Sequence, residues 1–139
     1  MSLQRTFAII KPDAFEAGHT GKIIDRILGH GFKIFAMKVM HLTVDQAEGF
    51  YYVHKERPFF GDLVDFMTEG PIVAMALERE NAILEWRNLM GATNPEQAAE
   101  GTMRKEFGTS IERNATHGSD AEETAAYELG YFFNAMETV

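Results

Sequence analysis

Cysteine is absent, which removes disulfides, thiolate catalysis and cysteine-based zinc sites together. Long apolar runs are missing too. A stretch such as "IVAMAL", Ile72 to Leu77, is far too short to cross a bilayer as a helix. The N-terminal "MSLQRTFAIIKPD" lacks the apolar stretch and small-residue cleavage site of a signal peptide, so a cytoplasmic setting is expected. Positive charge is scarce: 13 lysines and arginines face 21 aspartates and glutamates, for a net charge of −8. Such a surface repels nucleic acid and anionic membranes at long range, and neither is expected as a stable partner. A small anionic ligand can still bind where a few basic residues converge. Repeats, low-complexity stretches and linkers are lacking as well, which predicts one domain over residues 1–139. Against these absences, 45% of the residues are hydrophobic, enough to fill a core.

What is present reads as alternating strands and helices. "RTFAIIK", Arg5 to Lys11, is a buried strand stopped by Pro12. "GKIIDRILGHG" carries Ile23, Ile24, Ile27 and Leu28 at helical spacing, with Gly31 suited to the C-terminal cap. "FKIFAMKVMHL" reads as a strand, and "TVDQ", Thr43 to Gln46, as a capping box that opens a helix. A short helix is expected over Asp62 to Met67, a strand in "IVAMALE", and a helix through "NAILEWRNLM" to Gly91. Asn94 and Pro95 suggest one capped turn, with an ordered surface loop from there to about Arg113. "NATHGSD" brings a short strand, and Ser119 with Glu122 matches a second capping box, placing a helix start beside His117. This order predicts an α+β fold: a ferredoxin-like (split βαβ) sandwich with a four-stranded, mostly antiparallel sheet and helices on one face.

Several motifs fail. "GHTGK" lacks the first glycine and the Ser or Thr of a P-loop, and no G-x-S-x-G elbow surrounds Ser119. The five histidines show no metal-ligand spacing. His117 is different. A neutral imidazole is a nucleophile near pH 7, and a helix N-terminus both disfavours imidazolium and welcomes an anion. Gly118 would allow close backbone approach, Ser119 offers a hydroxyl, and Glu128 lies about two turns along the helix, within reach of the ring. Taken singly, other candidates have ordinary readings. Lys11 could be a solvated strand end, Arg87 a snorkelling helix residue, Arg104 a loop charge, His54 a surface residue, and Tyr51 and Phe59 core residues. A ligand-binding module on the same fold, or a passive phosphohistidine carrier, would also accommodate these residues.

Together the segments are more specific. "RTFAIIKPDA", "ERPFFGDLVDFM", "GPIVAMALE", "LMGATNPEQAAEGTMRKEFG" and "NATHGSD" resemble nucleoside diphosphate kinases over essentially the whole chain. The resemblance implies ping-pong transfer of a γ-phosphoryl group between nucleoside tri- and diphosphates. It assigns the phosphorylated histidine to His117, its orienting neighbours to Ser119 and Glu128, and a nearby active-site tyrosine to Tyr51. Arg87, Thr93 and Arg104 match phosphate ligands, and His54 a phosphate contact of some members. Lys11 and Asn114 match ribose and phosphate contacts. Phe59 matches the base platform, with Leu63 and Ile111 lining its slot. Mg²⁺ is expected to arrive on the nucleotide phosphates. Stacking on Phe59 reads no base edge, so low base and sugar selectivity is expected. Glu100 stands where the family usually has proline. The resemblance also implies a homo-oligomer. The strand "FKIFAMKVM" would place Phe32, Ile34, Ala36 and Met40 on one face and Phe35, Met37 and Val39 on the other, leaving apolar side chains for a second copy. A chain end soon after "YFFNAMETV" favours a dimer or a tetramer (a dimer of dimers).

Overall fold

Apolar runs too long to alternate decide the architecture. Phe7, Ala8, Ile9 and Ile10 are wholly buried in succession, and Ile72 to Leu77 are buried almost as completely. A strand that is apolar on both sides must be covered on both sides. The structure, a computed structural model, describes residues 3–139. Strand β1 (Leu3–Ile10) pairs antiparallel with β3 (Ile72–Glu80), from Leu3 opposite Glu80 to Ile10 opposite Val73. β2 (Lys33–Met40) flanks β3, and β4 (Thr116–Gly118) flanks β1, giving the order β2-β3-β1-β4 with every pairing antiparallel. The expected ferredoxin-like sheet is therefore present.

Helices cover both of its faces, which corrects the expectation of one covered face. On one side α1 (Pro12–Glu16), α2 (Thr20–Gly29), α5 (Ala82–Met90) and α6 (Met103–Phe107) bring Ala14, Ile27, Trp86 and Met103 against Ala8, Ile10 and Met75. On the other, α3 (Val44–Phe50), α4 (Phe60–Thr68) and α7 (Glu122–Phe132) bring Phe50, Met67 and Phe132 against Phe7, Ile9 and Ala74. Among the described residues, no helix is long and apolar enough to cross a membrane.

Local signals account for most boundaries. Thr43 and Gln46 form the expected capping box, with bonds of 3.1 and 2.9 Å. Asn94 Oδ1 accepts from Glu96 N–H at 3.0 Å and caps a 3₁₀ turn over Pro95–Gln97. Pro12 does more than stop β1, because it opens α1 from the first helical position. The stretch expected as loop to Arg113 contains α6, whose start is capped by Thr102 accepting from Lys105 N–H at 3.3 Å. In α2, Ile23 and Ile27 are buried, but Leu28 is 52% exposed. The simple alternation expected along β2 also fails. A bulge between Ile34 and Ala36 takes Phe35 out of register and reverses the parity. Phe32 and Ile34 thus pack with one core while Phe35 and Ala36 pack with the other. Met37 and Val39 remain 51% and 61% exposed.

Candidate active site

β4 ends at the sheet's edge with His117 in its middle position. The ring is held from three directions. Phe50 and Phe7 meet it edge-on, with centroids 5.3 and 6.1 Å away. Glu128, from the middle of α7, places Oε1 3.1 Å from His117 Nε2. An ionised carboxylate can only accept, so Nε2 carries the hydrogen and Nδ1 keeps a free lone pair. Ser119 Oγ donates to the same Glu128 oxygen at 2.7 Å. Ser119 is therefore no helix cap. Helix α7 begins at Glu122, and Thr124 Oγ1 accepts from the amides of Asp120 and Ala121 at 3.2 and 2.9 Å. The expected helix start beside His117 is thereby corrected. The buried hydroxyl binds a charged acceptor, which is stronger than a neutral cap. Tyr51 is buried nearby. Burial, and then the Glu128 carboxylate, hold its phenol well above its ordinary pKa.

Gly118 has a different use from the one expected. A Cβ there would lie 2.5 Å from Trp86 Cδ1 and 2.6 Å from Met90 Cε. Glycine thus lets α5 press against β4, where Trp86 Nε1–H donates to the His117 carbonyl at 3.1 Å.

Cations converge beside this ring despite the acidic surface. Arg104, almost fully buried, donates from Nη2 to the Thr116 carbonyl at 3.0 Å and from Nη1 to the Gly91 carbonyl at 3.1 Å. Those two bonds use two of its five N–H donors, and its Nε is buried with no partner among the described residues. Burial, and then Arg87, pull the Arg104 guanidinium down to about 10. Lys11, also buried, is pulled down to about 8 by burial first and Arg104 second, with Asp13 opposing. Such mutual repulsion places the cations within electrostatic reach of one another, an arrangement that an anion relieves. Lys11 Nζ donates to Asn114 Oδ1 at 2.8 Å, and Asn114 Nδ2 to the Thr93 carbonyl at 3.0 Å. Arg87 is half exposed and held by Asp120 at 2.7 Å.

Beyond Lys11 opens a cavity of about 410 Å³ lined by Phe59, Leu63, Phe66, Thr93 and Ile111. Phe59 is 49% exposed, as a stacking platform must be, and His54 stands 5.7 Å from it between ring centroids. The structure therefore brings His117, Ser119, Glu128 and Tyr51 into one group, and Lys11, Thr93, Asn114, Phe59, Leu63 and Ile111 into an adjoining one. Arg104 joins the two, since it reaches Thr116 and lowers Lys11. Two carboxylates in the cavity wall, Asp62 and Glu112, were not singled out from sequence, nor was Asp120. Nothing in their spacing marks them apart from other surface acids.

Comparison with known proteins places the whole chain. A family model described as nucleoside diphosphate kinase matches residues 4–138. A nucleoside diphosphate kinase from Geotalea uraniireducens is 63% identical over 137 residues, covering 99% of this chain and 100% of that protein. The crystal structure of the Aquifex aeolicus nucleoside diphosphate kinase is similar with a TM-score of 0.98 and 47% identity, over 99% of this chain and 100% of that one. A halophilic nucleoside diphosphate kinase from Halobacterium salinarum, in complex with CDP, has a TM-score of 0.95 and 38% identity, over 99% and 92% of the two chains. With a matching family model over nearly its whole length and relatives of such high identity, the chain belongs to the nucleoside diphosphate kinase family.

Proposed function

We propose that this phosphotransferase carries the γ-phosphoryl group of a nucleoside triphosphate, mainly ATP, on Nδ1 of His117 and passes it to a nucleoside diphosphate. The observation that carries the reading is the 3.1 Å contact between Nε2 and Glu128, which leaves Nδ1 as the nucleophile. The Nδ1 lone pair attacks the γ-phosphorus. The bond to the β,γ-bridging oxygen breaks, and its electron pair leaves with the diphosphate. Positive charge developing on the imidazole faces Glu128, itself oriented by Ser119. In the second half, a terminal oxygen of the acceptor diphosphate attacks the same phosphorus and the P–N electron pair returns to Nδ1. One covalent intermediate thus serves both half-reactions at one site.

Arg104, Arg87 and Lys11 hold the phosphates, with Thr93, Asn114 and His54 contributing polar contacts. Phe59 stacks the base between Leu63 and Ile111, which predicts low base selectivity. Tyr51 packs beside Glu128. Among the described residues, no cluster of three or more His, Asp or Glu side chains is placed to hold a metal ion. The cationic donor set suits phosphate oxygens, so Mg²⁺ would be held by the nucleotide phosphates, where it would neutralise part of their charge. The chain acts as one domain over residues 1–139, in the cytoplasm, as a homo-oligomer (a dimer or a dimer of dimers), with no stable nucleic-acid or membrane partner.

Incubation with γ-labelled ATP tests the assignment. Label is expected on His117, acid-labile and base-stable as a phosphoramidate is, and it should be released to an added diphosphate. His117→Ala is expected to lose both the label and turnover. Label mapped to another residue, or substantial turnover in the variant, would refute it. A ligand-binding module would take no label, and a passive carrier would take it from a partner protein instead of ATP.

A further inference from the structure

Two residues before His117, Ala115 has a φ of 75°. Residues with a Cβ rarely occupy that region. The Thr116 amide donates to the Asn114 carbonyl at 2.9 Å, so Asn114, Ala115 and Thr116 form a γ-turn of the strained, positive-φ kind. Strained backbone persists only where its surroundings over-determine it. Here the Ala115 carbonyl accepts from the Lys11 amide at 2.8 Å, and the Ala115 amide donates to Asp13 Oδ2 at 3.1 Å. Ala115 is wholly buried, so without Asp13 its amide would be an unpaired buried donor. Asp13 is kept there at a cost. Burial raises its pKa, and its Oδ1 is buried with no partner among the described residues. The two ends of the turn carry site residues. Asn114 meets Lys11 and Thr93, while Thr116 meets Arg104 and leads into His117.

We propose that Asp13 is a positioning residue for phosphoryl transfer: its carboxylate pins the Asn114–Thr116 γ-turn and so sets His117 and Asn114 relative to each other. The inference rests on His117 being the phosphorylated residue. Asp13 lies in the first turn of α1, two residues after Lys11, which follows β1 and caps the helix. One short segment thus fixes both a cation of the site and the backbone that presents the nucleophile. The role needs an acceptor oxygen at residue 13 and does not need its charge.

The test measures the rate of covalent labelling from ATP at saturating nucleotide, with melting temperature followed alongside. Asp13→Ala is expected to slow labelling about tenfold to a hundredfold, the rate equivalent of releasing one strained residue. Asp13→Asn keeps an acceptor oxygen and is expected to stay within about threefold of the unaltered protein. Glycine adopts a positive φ without strain, so in an Ala115→Gly background the cost of Asp13→Ala should shrink to about threefold or less. Unaltered labelling in Asp13→Ala, an equal loss in Asp13→Asn, or an undiminished cost in the glycine background would each overturn the inference. Should Asp13→Ala fail to fold, hydrogen exchange at the Ala115 amide decides. Protection in both the unaltered protein and Asp13→Asn is expected, and exchange at the rate of an exposed loop overturns it. Absence of His117 label in the unaltered protein would instead overturn the transfer reading itself.

Discussion

Lys11 is a cation held where a cation is costly, and its titration is open to measurement. Burial lowers it to about 8, whereas an unfolded chain keeps a lysine protonated to about 10.4. Between those values the unfolded state binds the proton that the folded state has released, so stability rises with pH across that window. The charge assigned here to phosphate binding is present below about 8 and is lost above it. The kcat/KM for a nucleotide is therefore expected to fall through that midpoint, by about tenfold per pH unit beyond it. Lys11→Gln should lower the plateau and remove this alkaline limb. A profile that stays flat well past the midpoint, or a limb that survives the substitution, would show that Lys11 does not carry it.

At the scale of elements, two contacts carry specific consequences. α5 presses against β4 so closely that any Cβ at Gly118 collides with Trp86 and Met90. Gly118→Ala is expected to cost about 1–3 kcal/mol by overpacking, read as a lower urea midpoint. Activity should fall with it, since the shifted Trp86 also holds the His117 carbonyl. An unchanged midpoint would mean that α5 can recede freely. The loop before α6 offers the opposite case. Thr102 N–H donates to the Ala99 carbonyl at 3.2 Å, and Gly101 has a φ of 87°. That is the signature of a type II turn with Glu100 at the second position, where proline is favoured. Among the described residues the Glu100 amide has no acceptor. Glu100→Pro should therefore stabilise the chain by about 0.4–1 kcal/mol, chiefly by restricting the unfolded state. A lowered urea midpoint would count against this geometry.

For the whole molecule, the open question is what covers β2. It lies at the edge of the sheet, and Met37 and Val39 project from it half exposed or more. Part of the edge is already occupied, since Val139 N–H donates to the Phe35 carbonyl at 2.9 Å and Lys38 pairs with Glu137 at 3.1 Å. A second copy burying the remainder would remove these side chains from water, at about 25 cal/mol for each Å² of apolar surface covered. Light scattering after size exclusion, at micromolar protein in low and high salt, is expected to give a dimer or tetramer mass. Met37→Glu combined with Val39→Glu should shift it toward monomer. A fully active monomer of the unaltered chain under those conditions would refute the assembly.

Much of this protein was legible locally. The apolar runs of β1 and β3, the Thr43 capping box and the Asn94 cap each rest on neighbours within four residues, where short-range energies dominate. The candidate histidine and its partner Glu128 were legible too, because they are only eleven residues apart and two helical turns bring the carboxylate back toward the ring. Other features depend on partners that no local pattern reveals. Ser119 had two acceptable uses, and a partly buried carboxylate outcompeted the cap. The β2 bulge exists only in relation to β3. Ala115 has no sequence mark of a positive φ, because the bonds that impose it come from Lys11 and Asp13, the latter 102 residues away. The sequence by itself determined the strands and most caps, since those follow from near neighbours, and it singled out His117 as a candidate through its resemblance to a family. Only the tertiary structure decided which faces were covered and how the strained turn is held, because those energies belong to contacts between distant segments.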